Sequence, residues 1–173
     1  MNKSEYVWYA SYGSNMYKDR FRYYIKGGLC NYNSKYYPGC KDKSDPIEDR
    51  PIMISHKLYF GNTSGSWDGG GVAFVSPEKD KQEKTLGRMY LIKRNQYEEV
   101  WAQEGSSDNW YGKDISLGTA DGYEIRTFTT RRILPANDPS EAYIRVIFAG
   151  IKDTYPEMTD DEIYEYITGC IRQ

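Results

Sequence analysis

The 173-residue sequence predicts an α+β domain. Three observations carry that prediction. Runs rich in aromatic and β-branched residues outnumber helical patterns, the two kinds do not alternate as βα units would, and Gly- or Asp-containing turns separate neighbouring strand-like runs. The length adds a bound, because one core of this size buries roughly 70% of the unfolded chain's surface. The expectation is therefore a single domain over 1–173, with an irregular insertion at about 29–51.

Taken in order, Tyr6 to Tyr12 reads as a strand that breaks at Gly13, a residue free to take positive φ. A helix follows, with Asn15 as its cap, Phe21, Tyr24 and Ile25 at helical spacing, and Gly27 and Gly28 as its stop. Leu29 to Pro51 lacks periodicity and is rich in Asn, Ser, Pro, Gly and charge, which predicts a long irregular loop able to reshape or cover a site. Ile52 to Phe60, Gly71 to Val75 and Thr85 to Lys93 read as strands of a meander. Asn95 opens a short helix with Glu98 three residues on, a relative of the capping box, and Gly105 ends it. Gly112 to Leu117 and Tyr123 to Thr130 flank Asp121-Gly122, a hairpin signal. Ser140 opens a helix to about Lys152, and Thr159-x-x-Glu162 caps a last one reaching Ile171.

Charge excludes some partners. Lys and Arg (23) nearly cancel Asp and Glu (25) and are spread along the chain, so nothing steers it onto nucleic acid or an anionic membrane. No run approaches the roughly 18 apolar residues of a membrane span, and Met1 to Glu5 is polar, unlike the start of a signal sequence. The expected location is the cytoplasm. Cys30, Cys40 and Cys170 fit reduced thiols, although Cys30 and Cys40 are near enough in sequence to pair. With His56 the only histidine and no CxxC pair, no zinc site assembles from the sequence, and no metal is expected. His56 itself reads as a strand residue with a satisfied ring. The 18 Tyr and 4 Trp read as core, pocket-rim and strand-face residues, with a sugar-binding surface as the other reading.

Chemistry has two candidate locations. The first is Tyr12-Gly13-Ser14-Asn15, a strand end running into a helix, where outward backbone N–H groups suit a carboxylate or a developing oxyanion; the other reading is an ordinary strand-to-helix turn with Asn15 as a cap. Ser14 lacks a GxSxG elbow and has only His56 as a possible base, so it is not read as a nucleophile. Gly69-Gly70-Gly71 is followed by a strand and not by GK[ST], and reads as a hairpin turn, not a phosphate cradle. The second location is the helix after Asn95. Tyr97, Val100 and Trp101 form its inward stripe, and Glu104 at i+7 continues it. An inward carboxylate loses hydration, its pKa rises, and it becomes able to exchange protons near neutrality; the other reading is a fraying last residue that reaches water where Gly105 ends the helix.

These segments together resemble the γ-glutamylcyclotransferase family. Tyr12-Gly13-Ser14-Asn15-Met16 is similar to the family's YGSN[LM] signature, Lys57 to Asn62 with Trp67 to Gly70 resembles its next strand and loop, and Gln103-Glu104-Gly105 matches its catalytic glutamate and neighbours. Tyr143 is similar to a tyrosine that the family places near the substrate. The likeness spans about residues 6 to 170, and Leu29 to Pro51 is longer than compact members need. What the resemblance implies is a small mixed β-barrel with surrounding helices. It also implies an enzyme without cofactor or metal that cyclises a small γ-glutamyl substrate to 5-oxoproline, with Glu104 moving the proton and Tyr12, Gly13, Ser14, Asn15 and Tyr143 binding substrate. A non-catalytic module of the same fold that binds a γ-glutamyl or amino-acid-like ligand is the alternative. The leaving amine and the oligomeric state are not legible.

Overall fold

The computed structural model describes residues 2–171. Its centre is a five-stranded mixed sheet. Strand β1 (Tyr6–Ser11) leads through a 3₁₀ turn, Ser14–Met16, into helix α1 (Lys18–Lys26), and two short strands follow, β2 (Gly28–Leu29) and β3 (Tyr36–Tyr37). Next come β4 (Glu48–Ile54), β5 (Leu58–Gly61), β6 (Val72–Val75), β7 (Thr85–Lys93) and helix α2 (Arg94–Glu104). The hairpin β8 (Lys113–Ala120) and β9 (Tyr123–Thr129) and the helices α3 (Glu141–Thr154) and α4 (Asp160–Ile171) complete the chain.

The sheet runs β4-β7-β1-β9-β8, with β1 antiparallel to β7 and parallel to β9. β1 is thus buried in the middle, which its nearly continuous apolar run, Tyr6 to Ala10, requires. The hydrogen-bonded ladder does not close into the expected barrel among the described residues, since β4 and β8 are its edges. The β5–β6 hairpin instead extends the wall through a side chain. The Thr129 hydroxyl accepts from the Val75 N–H (3.1 Å) and donates to the Val75 carbonyl.

Several sequence expectations shift. The stretch Ile52 to Phe60 is two strands, because Ser55, His56 and Lys57 turn the chain between β4 and β5. His56 therefore sits in a bend and not in a strand, though its ring is satisfied, with Nδ1 2.8 Å from the Ser76 carbonyl. The insertion is also more regular than predicted. It contains β2 and β3, and Glu48 to Pro51 belong to β4, an edge strand where a proline is tolerated. Cys30, Cys40 and Cys170 are buried and free, so Cys30 and Cys40 do not pair.

Two predicted helix caps move as well. At α1 the cap position belongs to Tyr17, and Asn15 lies in the preceding turn. At α2 the cap is Lys93, closed by Gln96, whose side chain accepts from the Lys93 N–H (3.0 Å), so Asn95 and Glu98 are inside the helix. Ser140 does cap α3, and the Thr159–Glu162 box caps α4 through bonds of 2.9 and 3.2 Å.

Most aromatic residues line the core or a cavity. Tyr9 stacks on Phe128 (5.3 Å between centroids) and Phe21 on Tyr90 (4.3 Å), joining α1 to the sheet. Buried tyrosines also use their hydroxyls. Tyr12 donates to the Phe128 carbonyl and Tyr111 to the Ala73 carbonyl.

Candidate active site

A cavity of about 340 Å³ opens between the Tyr12–Asn15 turn, α1, the β2–β3 segment and the C-terminal end of α2. Its walls include Tyr12, Gly13, Ser14, Asn15, Glu104 and Tyr143, so every candidate from the sequence reaches one place. The volume falls in the range of small-molecule sites.

The turn is fixed from beneath. Tyr90 donates to the Asn15 carbonyl at 2.7 Å, and Arg88 Nη1 donates to the Met16 carbonyl at 3.0 Å. Arg88 is itself held by Asp49 and Asp153, so β7, β4 and α3 brace the same short segment. With these carbonyls engaged toward the core, the opposite face of the turn lies along the cavity. Gly13 is required by space. Its φ of −124° is not the expected positive value, and a Cβ there would meet the Tyr143 hydroxyl at 2.9 Å and the Ala73 Cβ at 3.0 Å.

Asn15 was expected as a cap. Instead its Nδ2 donates to Glu104 Oε1 at 2.9 Å and reaches the Tyr9 hydroxyl at 3.1 Å. A partner 89 residues away outcompetes the local cap, because a hydrogen bond to a carboxylate in a poorly hydrated site is stronger than one to an exposed N–H. Its buried Oδ1 has no partner.

Glu104 is the last residue of α2, on the stripe of Tyr97, Val100 and Trp101, and Gly105, at φ 105°, turns the chain away behind it. Burial pushes its carboxyl above the ordinary glutamate range, against the pull of Arg20, Tyr24, Asn15 and Lys35. The neighbouring Gln103 binds elsewhere. Its Nε2 donates to the Tyr24 carbonyl (2.9 Å) and its Oε1 accepts from the Gly39 N–H (3.2 Å), which pins the insertion to α1 and α2.

Tyr12 has its hydroxyl proton committed, since it donates to the Phe128 carbonyl, and so builds the wall. Tyr143 accepts from the Ala73 N–H at 3.0 Å while its ring packs on Trp67, which leaves its own proton to donate. Sequence reasoning missed Arg20, Tyr24, Tyr37 and Trp67, all of which line the cavity. A signal existed for the first. Arg20 lies at i−4 from Tyr24 on the apolar face of α1, the same anomaly that drew attention to Glu104 on α2.

Among the described residues no group of three His, Cys, Asp or Glu side chains gathers at metal-binding distance, and no helix is long and apolar enough to cross a membrane.

Solved structures identify the architecture. A γ-glutamyl cyclotransferase superposes with a TM-score of 0.62 at 18% identity, over 95% of this chain and 99% of that one. The chain has the γ-glutamyl cyclotransferase fold. An uncharacterised protein from Homo sapiens shares the fold with a TM-score of 0.66 at 20% identity, covering 98% and 99% of the two chains. YkqA from Bacillus subtilis shares it at 0.62 and 17% identity, over 96% of this chain and 55% of that one. No family model matches the sequence. In sequence, the chain is 31% identical over 203 positions to histone deacetylase 5 of Arabidopsis thaliana, a match that takes in 95% of the chain and 31% of that protein. The chain thus spans under a third of that longer relative, and the deacetylase activity in the name belongs to the longer protein. Within the γ-glutamyl cyclotransferase fold, the cavity with Glu104 is where the Tyr12–Asn15 turn meets α2.

Proposed function

We propose that the chain works as one unit, a γ-glutamylcyclotransferase that releases 5-oxoproline and an amine or amino acid from a small γ-glutamyl substrate. The observation that carries this reading is the Glu104 carboxylate, raised in pKa by burial and held 2.9 Å from Asn15 Nδ2 at the edge of the Tyr12–Asn15 turn.

The substrate's α-amine attacks its own γ-amide carbonyl. A bond forms between the α-nitrogen and the γ-carbonyl carbon, and the bond from that carbon to the amide nitrogen breaks. Glu104 takes one proton from the α-ammonium before attack and a second as the ring closes, and passes both to the departing nitrogen, which leaves as an ammonium; such transfer is worth roughly 10² to 10⁴-fold. A raised pKa suits both halves, since the same group must accept and then release the proton near neutrality. The nucleophile is part of the substrate, so the reaction needs no cofactor or metal. Ring closure requires the glutamyl chain to be bent, and a well-oriented intramolecular attack reaches effective molarities on the order of 10⁵ M or more. Backbone N–H groups of Gly13, Ser14 and Asn15 hold the γ-glutamyl group and the oxyanion, while Tyr12 and Tyr143 shape the wall behind them. Reduced Cys30, Cys40 and Cys170 fit work in the cytoplasm.

The test is 5-oxoproline release from a panel of γ-glutamyl amino acids, γ-glutamylamines and glutathione. Release from at least one class supports the reading. Binding without release from any of them contradicts it.

A further inference from the structure

The cavity is lined by two cationic side chains, Arg20 and Lys35, and by one carboxyl group, Glu104. Arg20 is 1% exposed and makes no salt bridge among the described residues. Its Nη2 donates to the hydroxyls of Tyr24 (3.2 Å) and Tyr37 (2.8 Å), and its buried Nε and Nη1 have no partner. The Glu104 carboxyl is its counter-charge, and Lys35 adds a second cation to the lining, so the cavity keeps one positive charge for an anion to match.

Tyr24 passes the Arg20 charge to the Glu104 carboxyl, and Tyr37 carries it to the cavity surface. A hydroxyl that accepts an N–H from Arg20 still has its own proton to donate, and the cationic donor strengthens it. Tyr37 also accepts from Asn33 Nδ2 at 3.0 Å, which leaves its proton as its remaining contribution. The exposed Lys35 ammonium lies 5.1 Å from the centre of the Tyr37 ring. Lys35 and Tyr37 both come from the insertion, and Gln103 and the Cys40 N–H, which donates to the Ile25 carbonyl at 3.0 Å, clamp that segment in place.

We propose that the Tyr37 hydroxyl and the Lys35 ammonium, backed by Arg20, form a carboxylate subsite for the group that leaves the γ-glutamyl amide. The substrates are then γ-glutamyl amino acids or peptides with a carboxylate beside the amide nitrogen, not γ-glutamylamines. Charge counting agrees. A γ-glutamyl amino acid carries two carboxylates and one ammonium, so with ionised Glu104 it balances Arg20 and Lys35, whereas a γ-glutamylamine leaves one positive charge unmatched. This assignment rests on the cyclotransferase reading for the orientation of the ligand, the γ-glutamyl end lying on the Tyr12–Asn15 turn.

The experiment compares γ-glutamylalanine with γ-glutamylethylamine, which differ only by that carboxylate. Their affinities are measured by calorimetry on the Glu104→Gln protein, so that neither is consumed. The alanine compound should bind roughly tenfold or more tightly, the size expected for hydrogen bonds to a charged group. Lys35→Met, on the surface, and Tyr37→Phe, which keeps the ring, should each move that ratio toward one. Equal affinities before any change at 35 or 37, or a ratio that neither substitution moves, overturns the subsite. A ratio that behaves as expected in a protein whose wild type releases no 5-oxoproline upholds the subsite and overturns the cyclotransferase reading instead.

Discussion

Asn15 Nδ2 lies 2.9 Å from Glu104 Oε1, joining the strand-to-helix turn to the end of a helix 89 residues away. This bond favours the ionised carboxylate, while burial opposes it. Replacing Asn15 with Leu removes the donor at similar volume. The carboxyl should then titrate at higher pH, so the acid limb of kcat/KM moves upward and kcat/KM near neutrality falls roughly 10 to 100-fold. An unmoved limb would show that the bond does not govern Glu104.

The same residue leaves a trace in stability. A folded-state pKa raised above the ordinary 4.5 means that the folded protein holds this proton more tightly than the unfolded chain. Its contribution is therefore fully present below the unfolded pKa and is lost as pH rises through the raised one. Denaturant melts across that window should show wild type losing stability relative to Glu104→Gln as pH increases. The opposite trend would mean the carboxylate is stabilised on folding.

Gly13 has room for nothing larger. A Cβ would stand 2.9 Å from the Tyr143 hydroxyl and 3.0 Å from the Ala73 Cβ. Gly13→Ala should cost roughly 1–3 kcal/mol, as overpacking does. The cost should shrink in a Tyr143→Phe background, where the crowding oxygen is absent. Additive losses in that double-mutant cycle would place the strain elsewhere.

Gln103 ties down the insertion through Tyr24 and Gly39. Gln103→Leu should lower stability by about 1 kcal/mol and speed proteolysis within 30–47. Unchanged cleavage would mean that the Cys40 and Gln96 contacts suffice by themselves.

Sequence periodicity revealed what is local. The inward stripe of α2 put Glu104 on the correct face, and the Asp121-Gly122 turn and the caps at Ser140 and Thr159 are set by nearby chemistry. What it hid depends on distant partners. Asn15 abandons a cap for Glu104, and Lys93 with Gln96 displaces Asn95 because Gln96 also binds the carbonyls of Asp42 and Ser44. Glu48 to Pro51 gave no strand signal since an edge strand may be polar and can carry proline. Arg20 was legible only by asking why a cation sits on a buried helix face.

The most direct measurement is the rate of 5-oxoproline formation from γ-glutamylalanine by wild type and by Glu104→Gln, with folding and ligand binding of both verified. The account predicts release by wild type and a loss of roughly 10² to 10⁴-fold in the variant with binding retained. Turnover by Glu104→Gln close to that of wild type would contradict the assignment of Glu104 as the proton-transfer residue.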